Sequence, residues 1–170
     1  LIQEGAIDAN ALIPRYLPEL ATSAWADATV QQVLDMTTGV KYAENFADPT
    51  SGVFQYLAAA CLQPAPPGSN VAKSMAEHLP TVQKEGEHGT AFAYKSVDTE
   101  VLGWLLQRVT GKSYATLLSE RIWSKLGAQE DAYVFADANG GQATSVGVNA
   151  TLRDLGRLGE MLRSNGRFNG

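Results

Sequence analysis

Apolar residues recur at helical spacing in several stretches, and capping residues, glycine and proline mark the breaks between them. Val101, Leu102, Leu105 and Val109 follow Ser96 and Asp98, two helix-start residues, and Gly111 closes the run. That pattern predicts a helix over 96–110. A second run starts behind Ser113, turns Leu117, Leu118, Ile122 and Leu126 inward, and ends at Gly127. A third begins with the capping pattern Thr151-Leu152-Arg153-Asp154 and carries Leu152, Leu155, Leu158, Met161 and Leu162. Upstream, Thr29-Val30-Gln31-Gln32 is a capping box. Val30, Val33, Leu34 and Met36 give that helix one apolar face, and it is predicted to end near Thr37-Thr38-Gly39. Asp48 as N-cap with Pro49 at the first position predicts another helix, running through Val53, Phe54, Leu57 and Cys61. Val71, Met75, Leu79 and Val82 predict a weaker helix over 70–83, ended or kinked by Pro80.

Two-residue alternation is scarce. Thr90-Ala91-Phe92-Ala93-Tyr94 is a short alternating run that delivers Tyr94 to the start of helix 96–110. Such a strand-to-helix turn can hold a side chain at a cleft while packed elements fix its position. Ala132-Tyr133-Val134-Phe135 is a short strand candidate, 137–141 a turn, and 142–148 an extended segment. Residues 6–20 carry two prolines and read as a connection with one helical turn before Pro18. Residues 63–69 form a proline-rich surface loop, and 84–89 a polar turn containing Glu85, Glu87 and His88. The fold class is therefore mainly α, a helix-rich unit over 1–170 with few short strands. Leu1 to Gly5 reads as the last turn of a helix, and 164–170 as a turn just after one. Both ends read as cuts through a longer protein.

Composition narrows the function classes. The 170 residues are 45% apolar and 18% charged, which indicates a cored protein rather than a disordered one. The net charge is −5 with no basic run, which argues against nucleic acid and anionic membrane as partners. No apolar stretch reaches the ~18 residues of a membrane span. Cys61, the single cysteine, lies in an apolar run and reads as a small core residue; no internal disulfide can form. The lack of disulfides leans toward the cytoplasm and is also compatible with the periplasm.

Most site chemistries find no support. His78 and His88 are the two histidines, ten residues apart on different elements, with no second ligand at i+4, so no metal and no cofactor is called for. Gly111-Lys112-Ser113 lacks the upstream glycine and strand of a phosphate loop. No Gly-x-Ser-x-Gly elbow is present. What remains open is a hydrolase built on serine, lysine and tyrosine. On its local stretch alone, Tyr94 could equally be a half-buried aromatic with a satisfied hydroxyl.

The order of features resembles the middle of a penicillin-recognising serine hydrolase. The groups it is similar to are class C β-lactamases, their esterase and D,D-peptidase relatives, and 6-aminohexanoate-oligomer hydrolases. Gly5-Ala-Ile-Asp-Ala with Arg15-Tyr-Leu-Pro-Glu-Leu20 resembles the segment after the nucleophile helix. The stretch 28–40 resembles the next helix and its closing turn, and Glu44-Asn-Phe-Ala-Asp-Pro49 the loop that follows. Phe92-Ala-Tyr-Lys-Ser-Val-Asp-Thr-Glu-Val-Leu-Gly-Trp104 resembles the Tyr-x-Asn region, and 149–159 the Thr-x-Arg-Asp-Leu helix.

The resemblance implies an acyl-enzyme mechanism. A serine attacks a carbonyl, a lysine one helical turn later helps activate it, and a tyrosine carries the proton to the leaving group. It implies Tyr94 as that general acid/base, with Ser96, Phe46 and Ser145 as substrate-binding positions. A phenol of pKa about 10 needs about 4 kcal/mol from nearby positive charge to titrate near neutrality; the family's lysine would supply it. Ser96 stands where the family has asparagine, and Phe46 where the oligomer hydrolases have a substrate-contacting tyrosine. No Ser-x-x-Lys occurs in these residues; Thr38–Lys41 and Thr81–Lys84 have the spacing with threonine. The expectation is the helical lobe of a serine hydrolase acting on a small ester or amide, inert by itself. The alternative is a non-catalytic helical binding or interaction domain. In either case, self-association or a missing-lobe partner would cover its apolar faces.

Overall fold

The structure, a computed structural model, describes residues 1–65, 68 and 71–167. The chain opens with two single 3-10 turns, Ile13–Arg15 and Pro18–Leu20, each with proline in its first turn. Ile13, Leu17 and Leu20 are fully buried, so this connection is part of the core rather than a surface tether.

Helix α1 (Val30–Leu34) starts with the capping box read from the sequence. The Thr29 side chain accepts from the Gln32 N–H, and the Gln32 side chain accepts from the Thr29 N–H. It ends earlier than the sequence predicts. Met36 takes the left-handed conformation at φ 50° and turns the chain before Thr37 is reached.

Helix α2 (Gly52–Ala59) starts four residues after Asp48. The Asp48 carboxylate is used locally, accepting from the N–H and hydroxyl of Thr50. Such a side-chain turn competes with helix initiation, so the helix begins behind Ser51 instead. Val53, Tyr56 and Ala59 are its buried face. Cys61 is exposed, at φ 58°, and is not a core residue: the helix has already ended, and the chain reverses at that position.

Residues 66, 67, 69 and 70 fall outside the description, and with them part of the proline-rich loop and the start of the predicted 70–83 helix. The helical part is short: α3 (Met75–His78) is followed by a 3-10 turn, Leu79–Thr81, formed at Pro80. Ser74 caps α3 by accepting from the Glu77 N–H. Val71 lies in no regular element.

Helix α4 (Ser96–Thr110) is the centre of the molecule. Val97, Val101 and Leu105 are fully buried on one stripe and pack with Val30, Val33, Trp25 and Val40. Each such side chain contributes roughly 1.5–3 kcal/mol. Gly111, at φ 67°, ends the helix where a left-handed residue is needed. Helix α5 (Tyr114–Arg121) is capped by Ser113, whose hydroxyl accepts from the Thr116 N–H. It breaks at Ile122 into a 3-10 turn, and of the inward set only Leu126 is fully enclosed. Helix α6 (Leu152–Arg163) is capped by Thr151 as read, but Leu152, Leu155 and Leu162 are exposed.

No strand forms among the described residues. The predicted strand around Tyr133 is reduced to isolated antiparallel bridges, Tyr133 with Asn149 and Ala136 with Gln142, on either side of a turn organised by Asp137. No described helix is long and apolar enough to cross a membrane.

Candidate active site

Tyr94 projects from a non-helical turn, with its side chain 57% exposed. The backbone beneath it is held on both sides. Before it, the Ala93 N–H donates to the Met36 carbonyl at 2.9 Å, and the Gly89 N–H to the Thr37 carbonyl at 2.7 Å. After it, the Ser96 N–H donates to the Glu44 carboxylate at 2.7 Å. That carboxylate sits at the positive end of α4, where an anion is favoured. Asp98, in the first turn of α4, is fully buried and accepts from Thr38 Oγ1 at 2.7 Å and Trp25 Nε1 at 2.8 Å. The 36–39 platform and the first turn of α4 are thus tied to each other.

His88 braces the same platform. The turn around it is exposed, but the His88 side chain itself is only 4% exposed. Its Nδ1 accepts from the Gly39 N–H at 3.0 Å, so Nε2 carries the proton and donates to Asp27 at 3.1 Å. Asp27 also pairs with Lys84.

Ser96 is the first residue of α4 and is 4% exposed. It lies beside the buried Tyr42 ring, whose hydroxyl is pushed far above its ordinary range by burial first and by the Glu44 charge next. One turn on, Glu100 is buried among polar groups. It accepts from Tyr56 Oη at 2.8 Å, Thr144 Oγ1 at 2.9 Å, the Thr144 N–H at 3.0 Å and the Ser145 N–H at 2.9 Å. Ser145 Oγ lies 2.6 Å from Tyr56 Oη. Tyr42 and Tyr56 meet edge to face, with ring centroids 6.5 Å apart. Ser96 and Ser145 are therefore both tied to the first two turns of α4, the helix that follows Tyr94. Phe46 stands apart from this network: it is 65% exposed and touches Phe54 edge to face at 6.1 Å. It shares a loop with Glu44.

Sequence reasoning picked out Tyr94, Ser96 and Ser145 but passed over Glu44, Tyr56, Asp98 as a buried anchor, and Glu100. One signal was available. Asp98 and Glu100 lie on or beside the Val97-Val101-Leu105 stripe, and a carboxylate in an inward register needs partners. No group of three or more His, Cys, Asp and Glu is arranged to hold a metal among the described residues. An apolar cavity of about 560 Å³ opens on another side of α4, lined by Leu1, Ile2, Leu34, Leu102 and Leu106 among others.

The family model described as Beta-lactamase matches residues 1–170. The 6-aminohexanoate-dimer hydrolase of Paenarthrobacter ureafaciens is 38% identical over 166 residues, which are 98% of this chain and 42% of that protein. A solved structure from Bacillus anthracis, provisionally described as a 6-aminohexanoate-dimer hydrolase, superposes with a TM-score of 0.90 at 33% identity. The match covers 100% of this chain and 45% of that one. The D-amino acid amidase of Ochrobactrum anthropi SV3 shares the fold at a TM-score of 0.61 and 21% identity, over 98% of this chain and 53% of that one. The chain spans less than half the length of the two hydrolases.

Proposed function

This chain belongs to the beta-lactamase family, and from that premise we propose that it is the helical lobe of a serine hydrolase working through an acyl-enzyme, with Tyr94 as its general acid/base. The observation that carries the reading is the Tyr94 turn. An exposed phenol sits on a backbone pinned by Met36, Glu44 and Asp98, which is what a proton carrier needs to reach a substrate without wandering. The family's Ser-x-x-Lys is absent from these 170 residues, so the nucleophile belongs to the rest of the whole protein.

In that protein the serine oxygen bonds to the carbonyl carbon of a small ester or amide. Tyr94 takes the proton that the serine hydroxyl gives up, the bond to the leaving alkoxide or amine breaks, and Tyr94 hands that proton to the leaving group. Water then releases the acyl group by the reverse relay. Ser96 borders the substrate from the start of α4, Ser145 from the loop that Glu100 holds against that helix, and Phe46 forms an outer wall. The similarity to 6-aminohexanoate-dimer hydrolases supports an amide among the substrates. The exposed leucines of α6 and the apolar cavity beside α4 support a further packed segment, or a second copy, covering those faces. Tyr94→Phe in the whole protein, with acylation and deacylation timed separately, tests the reading.

A further inference from the structure

The turn that carries Tyr94 is held from outside, because none of its own residues is buried. Every residue from Gly89 to Tyr94 is exposed, Phe92 most of all among the large side chains. Apolar packing therefore does little to fix the turn. Its position rests on hydrogen bonds to the 36–39 platform, from the Ala93 N–H to the Met36 carbonyl and from the Gly89 N–H to the Thr37 carbonyl. Gly89, at the left-handed φ of 85°, sets the direction in which the chain leaves the platform. The side chain immediately before it, His88, is buried.

His88 grips the same platform by its backbone. Its Nδ1 accepts from the Gly39 N–H at 3.0 Å, and that N–H has no other acceptor among the described residues. The Gly39 carbonyl is engaged as well, accepting from the N–H groups of Glu85 and Gly86 at 2.9 and 3.0 Å. The two segments lie so close that a Cβ on Gly39 would overlap the Gly86 carbonyl. The two ring nitrogens of His88 have different surroundings. Nδ1 meets a part-buried main-chain donor, whereas Nε2–H donates to Asp27, whose carboxylate is 60% exposed and also pairs with Lys84. Solvent competes for the outer bond and much less for the inner one.

We propose that His88 is a positioning residue for Tyr94, and that it acts through the bond from Gly39 to its Nδ1 rather than through Asp27. The inference rests on the hydrolase reading of the Tyr94 turn. Without the Nδ1 acceptor the Gly39 N–H is left unpaired, and the platform can shift against the turn that hangs on it. A displacement of about 1 Å at a reacting group costs on the order of 10² in rate. His88 touches no substrate in this scheme, so the loss falls on the acylation step and leaves substrate binding in place.

Two substitutions divide the ring between them, and single-turnover acylation of the whole protein reads the result. Asparagine can place its Oδ1 where Nδ1 was and still accept from Gly39, but it cannot reach Asp27. Glutamine can place its amide nitrogen where Nε2 was and still donate to Asp27, but it has no acceptor at the Nδ1 position. His88→Asn is expected to keep most of the acylation rate. His88→Gln and His88→Leu are expected to lower it about 10- to 100-fold with the substrate Kd unchanged. All rates are taken well below the Tm of each variant, so that lost folding does not pass for lost positioning. In a Tyr94→Phe background, His88→Leu is expected to cost nothing more, because the group it positions is gone. A rate kept in His88→Leu, a rate lost in His88→Asn as fully as in His88→Leu, or a full further loss in the double variant would each overturn the assignment. Tyr94→Phe alone separates the two claims. A full rate there defeats the hydrolase reading itself. A lost rate there, with a wild-type rate in His88→Leu, defeats only the role of His88.

Discussion

The indole N–H of Trp25 donates to the Asp98 carboxylate at 2.8 Å, a buried bond between positions 73 residues apart. Thr38 donates to the other oxygen of the same carboxylate. One side chain thus joins the segment before α1, the loop after α1 and the start of α4, and the last two flank the Tyr94 turn.

Asp98→Ala would leave the Trp25 N–H buried without an acceptor and is expected to cost about 3 kcal/mol in urea unfolding at pH 7. Asp98→Asn keeps an acceptor for Trp25 and should cost less than half of that. The pH dependence has a definite sign. Burial raises the Asp98 carboxyl above its ordinary value, against the pull of its hydrogen bonds from Thr38 and Trp25. The folded state then holds this proton to higher pH than the unfolded chain does. Stability from this group is present below about pH 4, the unfolded value, and is lost as pH rises through the folded one. Asp98→Asn is expected to gain on the wild type between pH 4.5 and 7; a constant difference would contradict this.

Asp154 behaves oppositely. The Gln129 N–H is the first cause, and the Thr151 hydroxyl, the Glu130 N–H and Arg157 add to it, together holding the carboxyl at about 2. Its contribution is full above about pH 4 and is lost as pH falls through 2. Asp154→Asn is expected to lower Tm at pH 7 and to flatten the acid limb of the stability curve between pH 4 and 2, as followed by circular dichroism.

Gly103 lies in α4 against Thr144, and a Cβ there would come within 2.2 Å of Thr144 Oγ1. That hydroxyl bonds both the Thr99 carbonyl and Glu100, so it cannot retreat without breaking them. Gly103→Ala is expected to destabilise by roughly 1–3 kcal/mol despite alanine's better helix propensity. A gain in stability would show that the 144–145 loop is not held as described.

The strongly capped helices were legible from the sequence because their signals are local. Thr29, Ser113 and Thr151 each bond a backbone N–H three residues ahead, and Gly111 supplies the one conformation that ends α4. Asp48-Pro49 carried the same kind of signal and misled, because Thr50 gave the Asp48 carboxylate a nearer partner. The last helix was legible in register but not in burial: its leucines repeat correctly, yet Leu152 is 87% exposed. At the candidate site, Tyr94 could be proposed because the stretch that carries the resemblance is contiguous. Glu100 with Tyr56, 44 positions apart, and Asp98 with Trp25 could not, since pairings at such separations leave no period in the sequence.

The pure 170-residue chain is expected to show no steady turnover of a p-nitrophenyl ester. It holds no Ser-x-x-Lys, and loss of a nucleophile typically removes on the order of 10⁶ in rate. Steady turnover by the chain alone that disappears in Tyr94→Phe would contradict this assignment of the nucleophile.

The central claim concerns the Tyr94 hydroxyl, and single-turnover acylation of the whole protein by an amide substrate tests it most directly. Tyr94→Phe removes one exposed oxygen from a turn held by its backbone, so the fold and Tm should be unchanged. The acylation rate is predicted to fall by about 10²–10⁴, the usual worth of a positioned general acid/base. An acylation rate equal to that of the wild type, with the fold intact, would contradict the account.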